Sequence, residues 1–257
     1  MFLPSFRLDG MTAVVTGAGR GIGRALAVGL AEAGADVAIL SRTAEQLALV
    51  AKEIREATGK EALCLPSDVT RRADLEAAVA ETMRRFGKID VLVNNAGMNI
   101  RTPALEVTDE QWERIVQTNL KSAFQLSQLV GERMKERGSG RIVNISSVAG
   151  HTALRTGVVY GSTKAALIQM TKILALEWGK YGIRVNSVGP WYFKTPLTEK
   201  LLADEAFVQE VESRTPLRRI GRLEELVGPV VFLASDAASY ITGQTLYVDG
   251  GMTIYGF

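Results

Sequence analysis

The sequence predicts a doubly wound α/β fold, a seven-stranded parallel sheet with helices on both faces, and three observations carry that expectation. Short β-branched runs alternate with helix-length segments along the chain. The first run opens directly into a glycine-rich turn and a helix. No Pro/Ser-rich linker, low-complexity tract or internal repeat interrupts the alternation. With 257 residues, one domain over 1–257 is the expected organisation, because single α/β units commonly reach about 250 residues. The least regular long stretch, 189–213, is expected to be a loop over the substrate site.

The elements follow in order. Strands are expected at Thr12 to Thr16, Val37 to Leu40, Ala62 to Leu65, Val91 to Asn94, Ile142 to Ile145, Val185 to Val188 and Thr245 to Val248. Between the first six lie helical segments such as Ile22 to Ala33, Ala44 to Thr58, Leu75 to Phe86 and Gln111 to Met134, which suits right-handed crossovers and a sheet buried on both faces. Thr43 with Gln46 and Thr108 with Gln111 have capping-box spacing at two helix starts. Gly34, Gly59, Gly87 and Gly182 stand where helices end in a left-handed residue.

Composition excludes several functions. Thirty Lys+Arg against 28 Asp+Glu leave a formal charge of +2, with no basic run, so nucleic acid is not the expected partner. Cys64 is the single cysteine and excludes an intrachain disulfide, which fits a reducing compartment. One histidine and no repeated Cys/His spacing give a metal centre almost no ligands, so no metal is expected. Arg7 and Asp9 fall where a signal peptide needs its apolar core, and no apolar stretch approaches the roughly 18 residues of a membrane span. A cytoplasmic protein without membrane partners is expected.

The chemistry begins at the first turn, Gly17-Ala18-Gly19-Arg20-Gly21-Ile22-Gly23. Glycines between a strand and a helix let the backbone approach a pyrophosphate and aim helix N–H groups at it, so this turn is read as a dinucleotide cradle. No Lys-Ser/Thr follows the last glycine, which disfavours a Walker-type site. After the second strand comes Leu40-Ser41-Arg42, where an NAD enzyme presents Asp or Glu to the ribose hydroxyls. Arginine there pairs instead with a 2′-phosphate, and Arg20 adds a second cation, so NADP(H) is preferred with NAD(H) possible. Asp68, followed by Val69 at the end of the third strand, is a candidate for the adenine amino group, with helix capping as its competing role.

Tyr160 and Lys164, four apart near the start of a long helix, share one face. Ser147 lies 13 residues before Tyr160, at the carboxyl end of the fifth strand, where ligands collect in open α/β sheets. Alternation sends Ser146 the opposite way.

These residues, with Thr16-Gly17-x-x-x-Gly21-Ile22-Gly23, Asn94-Asn95-Ala96-Gly97, Asn119, Pro190 through Thr195 and Val248-Asp249-Gly250-Gly251, make the chain resemble the short-chain dehydrogenase/reductases over essentially its full length. The stretch Gly189 to Pro196 and the ending look most like tropinone-reductase-like members, and the remainder is similar to gluconate 5-dehydrogenase-like ones. The resemblance implies a Rossmann-type fold and hydride transfer between a nicotinamide and a ketone or secondary alcohol. It implies Tyr160 as general acid or base, Ser147 holding the substrate oxygen, Lys164 on the nicotinamide ribose, and Asn119 linking Lys164 to a proton path. Lys164 and the nicotinamide are expected to lower the Tyr160 pKa. Asn95, Ala96 and Gly97 are implied beside the adenosine side, Thr195 over the diphosphate and carboxamide, and Pro190 and Phe193 among the cofactor contacts. Asn94 is read as structural. Pro190-Trp191 departs from the family's usual Pro-Gly.

A homotetramer is also implied, and an apolar tail of Met252, Ile254, Tyr255 and Phe257 gives it a partial physical reason. Met98, Ile100, Leu154, Val158, Trp191, Tyr192 and Leu197 could wall a substrate pocket, and Arg101, His151 and Arg155 could reach a polar substrate end. Two arginines there would repel a cationic amine such as tropinone. A dinucleotide-sensing protein without turnover and an NAD(H)-dependent sugar-acid dehydrogenase are the alternative readings.

Overall fold

A computed structural model describes residues 2–155 and 157–255. Gly256 and Phe257 of the apolar tail lie outside the described residues.

Seven strands form one sheet: β1 (Thr12–Thr16), β2 (Asp36–Ser41), β3 (Leu63–Pro66), β4 (Val91–Asn94), β5 (Gly140–Ile145), β6 (Ile183–Pro190) and β7 (Thr245–Val248). Their order is β3-β2-β1-β4-β5-β6-β7 and every pairing is parallel. The inner strand β1 pairs Val15 with Ile39 on one side and Val93 on the other. Chain order reverses between β1 and β4, which opens a crevice at the carboxyl edge of the sheet.

Both faces are covered. On one, Val15, Ile39, Val93 and Val143 pack against Leu26 and Leu30 of α1 (Gly21–Glu32), Leu47 and Val50 of α2 (Ala44–Thr58), and more distant helices. On the other, Val14, Leu40, Leu92 and Ile142 meet Leu75 of α3 (Arg72–Phe86) and residues from the long helices that follow β4 and β5. Side chains alternate between faces, so β-branched runs without polar interruptions are what a sheet buried on both sides requires.

Three helical features differ from expectation. The segment read as one helix is α4 (Asp109–Val116), a π-helical turn at Gln117–Lys121, and α5 (Ser122–Arg137). Its start is a true capping box, with Gln111 N donating to Thr108 Oγ1 at 3.3 Å and Thr108 N to Gln111 Oε1 at 3.5 Å. Thr43 makes no such bond at the start of α2, so spacing alone misled there.

The remaining helices are α6 (Val158–Trp178), α7 (Glu199–Leu202), α8 (Glu205–Ser213) and α9 (Glu224–Ala234). The stretch 189–213 is therefore partly helical, with Asp204 Oδ1 capping α8 through Ala206 N and Phe207 N. Among the described residues, no helix is long and apolar enough to cross a membrane.

Candidate active site

The glycine turn is built by exclusion. Gly17 and Gly21 have φ of +65° and +56°, a region that favours glycine. A Cβ on Gly23 would lie 2.2 Å from Gly17 O and 2.4 Å from Asn95 Nδ2, so only glycine lets α1 start this close to β1. The turn is braced from β4: Thr16 Oγ1 accepts from Asn95 N and Ala96 N, both at 3.0 Å, and Asn95 Nδ2 donates to Thr16 O at 2.9 Å. Thr16, which the sequence showed only as the first residue of the glycine motif, is thus the clamp joining the two strands where chain order reverses. A side chain on Gly21 would point at Thr195 and Pro196, 3.4–3.5 Å away, which puts Thr195 across the cradle. The backbone space a pyrophosphate needs is present, with the N-terminus of α1 aimed into it.

At the end of β2, Ser41 closes on the cradle: its hydroxyl would sit 2.8 Å from a Cβ on Gly19 and donates to Thr43 O at 3.3 Å. Arg20 and Arg42 are exposed and neither joins an ion pair among the described residues. Asp68 Oδ1 accepts from Thr70 N at 2.9 Å and Thr70 Oγ1 at 2.7 Å, so one oxygen braces the local turn. Burial pushes its carboxyl up, but the Thr70 hydrogen bonds and the charges of Arg42 and Arg71 outweigh it and hold the pKa below the usual value. Val69 beside it is buried.

The candidate catalytic residues lie on the opposite side of β1, at the end of β5 beyond β4. Ser147 follows β5 in extended backbone and its Oγ accepts from Ala149 N at 3.1 Å, capping a 3-10 turn at Val148–Gly150. Ser146 turns the other way, donating to Val188 O at 3.0 Å and accepting from Ser187 Oγ at 2.7 Å. A Cβ on Gly150 would lie 2.6 Å from the Lys164 carbonyl carbon, so that glycine lets the Ser147 turn press against the backbone of α6. The sequence reading did not single out Gly150, although its position just after the serine was the available signal.

Tyr160 is partly buried in the first turn of α6. Burial pushes its phenol above the ordinary value of 10, with the Ser147 hydrogen bond and Arg101 pulling it down and Tyr192 adding to the rise. The lowering expected from Lys164 is not what the side chains alone produce. Lys164 is buried, its Nζ is 5.7 Å from the centre of the Tyr160 ring and donates to Ile145 O at 2.7 Å, and burial lowers its pKa to about 8. Burial of the phenol therefore outweighs any pull of the ammonium on it.

Asn119 sits in the π turn and is 1% exposed. Its Oδ1 accepts from Met98 N at 2.8 Å, while its Nδ2 donates to Met98 O at 2.9 Å and Thr163 Oγ1 at 3.3 Å. It therefore pins the loop after β4 to α6. Gly97 lies between Asn119 and Lys164, its Cβ position 3.5 Å from Asn119 Oδ1 and 3.6 Å from Lys164 Nζ, but no direct bond joins the two side chains. Asn94 donates to Ser127 Oγ and Asn144 Oδ1, both at 2.9 Å, inside the sheet.

At the end of β6, Pro190 is buried and its register partner is Val248. Phe193 turns its ring into the core over Gly221, whose Cβ would lie 2.4 Å from that ring, so the ring itself does not face the cradle. Trp191 is tied down by Nε1 to Thr215 Oγ1 at 3.0 Å. Of the charged candidates, His151 stacks beside Tyr247, ring centres 5.3 Å apart, and Arg155 pairs with Glu210 of α8. Arg101 donates to Arg155 O at 3.4 Å and is the cation felt by Tyr160. Ile100 O approaches Gly157 just before α6, whereas Val158 and Leu197 are exposed. Among the described residues, no group of three or more His, Cys, Asp or Glu could hold a metal.

Comparison with known proteins agrees with this geometry. A family model described as enoyl-(acyl carrier protein) reductase matches residues 17–253. A tropinone reductase homolog of Arabidopsis thaliana is 47% identical over 251 residues, 97% of this chain and 95% of its own length. The gluconate 5-dehydrogenase of Gluconobacter oxydans (strain 621H) is 44% identical over 250 residues, 97% of each chain. The crystal structure of a gluconate 5-dehydrogenase from Burkholderia cenocepacia J2315, in complex with NADP and tartrate, superposes with a TM-score of 0.93 at 43% identity, covering 97% of each chain.

Proposed function

The chain belongs to the short-chain dehydrogenase/reductase family of oxidoreductases, and from that premise we propose that it transfers hydride between NADP(H) and a small ketone or secondary alcohol. The observation that carries the reading is the close approach at Gly150 that presses the Ser147 turn against α6, the helix of Tyr160 and Lys164, at the sheet edge that also holds the glycine cradle.

The nicotinamide, when bound, supplies or accepts hydride at its C4. Ser147 hydrogen-bonds the substrate oxygen and orients the carbonyl. Tyr160 donates its proton to that oxygen in reduction and accepts it in oxidation. A phenol kept protonated by burial suits the first role directly. In oxidation the phenolate needs a nearby positive charge, and Lys164 gains that role whenever it is protonated. Asn119 acts by holding the Met98 loop and Thr163, and so the first turns of α6. Gly17, Gly21, Ile22 and Gly23 would hold the pyrophosphate, Asn95, Ala96 and Gly97 the adenosine side, and Arg42 with Arg20 the 2′-phosphate. The NADP complex of the Burkholderia relative supports that preference.

A second reading, oxidation or reduction of a sugar acid, is favoured by Arg101, whose charge reaches Tyr160 and could meet a substrate carboxylate. The relatives named gluconate 5-dehydrogenase support it. We further propose a single domain with 189–213 as its substrate loop, working as a cytoplasmic homotetramer. Ile254 and Tyr255, 85% and 44% exposed on the single chain, are suited to a subunit contact.

The test is a screen of purified protein with NADPH, and separately NADH, against simple ketones, diketones and keto sugar acids, following absorbance of the reduced nicotinamide. Turnover with NADPH is expected. NADPH binding without turnover across the panel would overturn the enzyme in favour of a dinucleotide sensor.

A further inference from the structure

Trp191 has no part in the chemistry assigned to Ser147, Tyr160 and Lys164, yet it joins two pieces of the molecule. Its backbone belongs to the sheet: it follows Pro190, the last residue of β6, and its N donates to Val248 O at 3.3 Å. Its indole reaches the other way, towards α8. Nε1 donates to Thr215 Oγ1 at 3.0 Å, and that hydroxyl donates onward to Val211 O of α8 at 2.7 Å. Thr215 is buried, and a Cβ on Gly250 would lie 2.6 Å from its Cγ2, so the indole's acceptor is wedged against the turn that follows β7. The indole also meets Tyr192 edge-on, ring centres 4.6 Å apart and planes at 68°, and Tyr192 meets Phe207 of α8 at 5.4 Å and 86°. Phe207 and Val211 are four apart, so both routes from Trp191 arrive on one face of the helix.

Helix α8 has little else to hold it. At nine residues it is shorter than the roughly 12–15 an isolated helix needs, and Val211 alone among them is buried. Its order therefore comes from docking. Where it docks bears on the site. Glu210 pairs with Arg155, in the segment that joins Ser147 to Tyr160, and Thr195, earlier in the same loop, lies across the glycine cradle. The Arg155–Glu210 pair is exposed and contributes little to the hold. The firm contacts are those that start from Trp191, and the chain's own groups make all of them.

We propose that Trp191 is a positioning residue that docks α8 ahead of substrate, so that substrate meets a wall already in place instead of ordering the loop as it binds. Order present beforehand removes a cost from binding and leaves the chemical step alone. The inference rests on reading 189–213 as the substrate loop beside Ser147 and Tyr160. A small side chain at position 191 would lack both routes, and α8 would be left to local opening.

The experiment measures amide hydrogen exchange across α8 in the free full-length protein, which needs neither cofactor nor turnover. Trp191→Phe keeps a ring against Tyr192 and loses the bond to Thr215, whereas Trp191→Ala loses both. Wild-type α8 is expected to exchange at least a hundredfold more slowly than unstructured chain, on the order of a docked local element. Trp191→Phe should speed it by about fivefold and Trp191→Ala by about 30-fold, from one hydrogen bond and one aromatic pair. Exchange in β5 and β6 should not change in either variant. Calorimetry should give NADPH affinity within about twofold of wild type. With the ketone turned over best in the NADPH screen, Trp191→Ala should raise KM by about tenfold and keep kcat within about threefold, and Trp191→Phe should restore most of the KM. An α8 that exchanges as unstructured chain in wild type, variants that exchange as wild type does, or protection lost equally in β5 and β6 would overturn the inference. So would a fall in kcat at unchanged KM. The expected exchange pattern in a protein without turnover would leave the docking standing and refute the proposed catalysis instead.

Discussion

The two ends of the site are built by different means. At the cradle, backbone does the work: close approaches at Gly17 and Gly23 and positive φ at Gly17 and Gly21 call for glycine, and Thr16 with Asn95 locks two strands together by bonds that each pair a side chain with main chain. Beside the proposed substrate loop, side chains do it: Trp191, Tyr192 and Phe207 stack edge-on, and Arg155 reaches Glu210 across a surface. The difference teaches where change is tolerated. Close backbone packing has no way to relax around an added atom, whereas aromatic clamps and exposed ion pairs can be altered by small steps that retune a substrate.

The largest effect is expected where that contrast is sharpest. Gly23→Val drives a side chain into Gly17 O and Asn95 Nδ2, and overpacking of this kind costs about 3 kcal/mol. Denaturant unfolding should show that loss, and calorimetry should show NADPH affinity reduced by about 100-fold or more. Near-normal affinity would mean the cradle is not the cofactor site. Next comes Arg42→Asp, which replaces an attraction to a 2′-phosphate by a repulsion. The NADPH/NADH ratio of kcat/KM should fall by about 100-fold, consistent with losing a charge-assisted hydrogen bond of about 1.5–3 kcal/mol. A ratio already favouring NADH in wild type would refute the assignment of Arg42.

Lys164 links the ends through stability. Its folded pKa, about 8, lies below the ordinary 10.5 because of burial. The unfolded chain therefore binds more protons between about pH 8 and 10.5, and wild-type stability attributable to this group rises across that window. Below pH 8 the cost of the buried charge is fully present. Lys164→Met should consequently stabilise the protein at pH 7 by about 1–2 kcal/mol, after subtracting the hydrogen bond lost at Ile145 O, with the gain shrinking towards pH 10.5. Unfolding measured at both pH values checks it; a destabilised variant at pH 7 contradicts it. The smallest effect belongs to Glu210→Gln, which removes the exposed partner of Arg155. KM should change by about twofold at low salt and not at high salt, while unfolding is unaffected. A loss of cofactor affinity would show that α8 and the cradle are coupled.

The same contrast decides what was legible in the sequence. Glycines at Gly17, Gly21 and Gly23 announce the cradle because backbone geometry demands that residue type, and the strand alternation follows from burial on both faces. The π turn around Asn119 is silent, since Gln117–Lys121 contains residues that an ordinary helix accepts equally well. Phe193 was read from its place after β6, yet its ring is drawn inward by the space above Gly221, a partner far along the chain. Trp191 and Tyr192 could be placed near the site but not oriented, because Thr215 and Phe207, which orient them, belong to segments whose folding the local pattern does not specify.

The central claim is that binding and chemistry are separable along this edge of the sheet, and Tyr160→Phe tests it most directly. The change removes a transferable proton and little volume. Calorimetric titration with NADPH, beside steady-state turnover of the best substrate, is expected to give an affinity within about threefold of wild type and a kcat lower by about a thousandfold. Turnover within tenfold of wild type, or cofactor affinity lost together with it, would contradict the account.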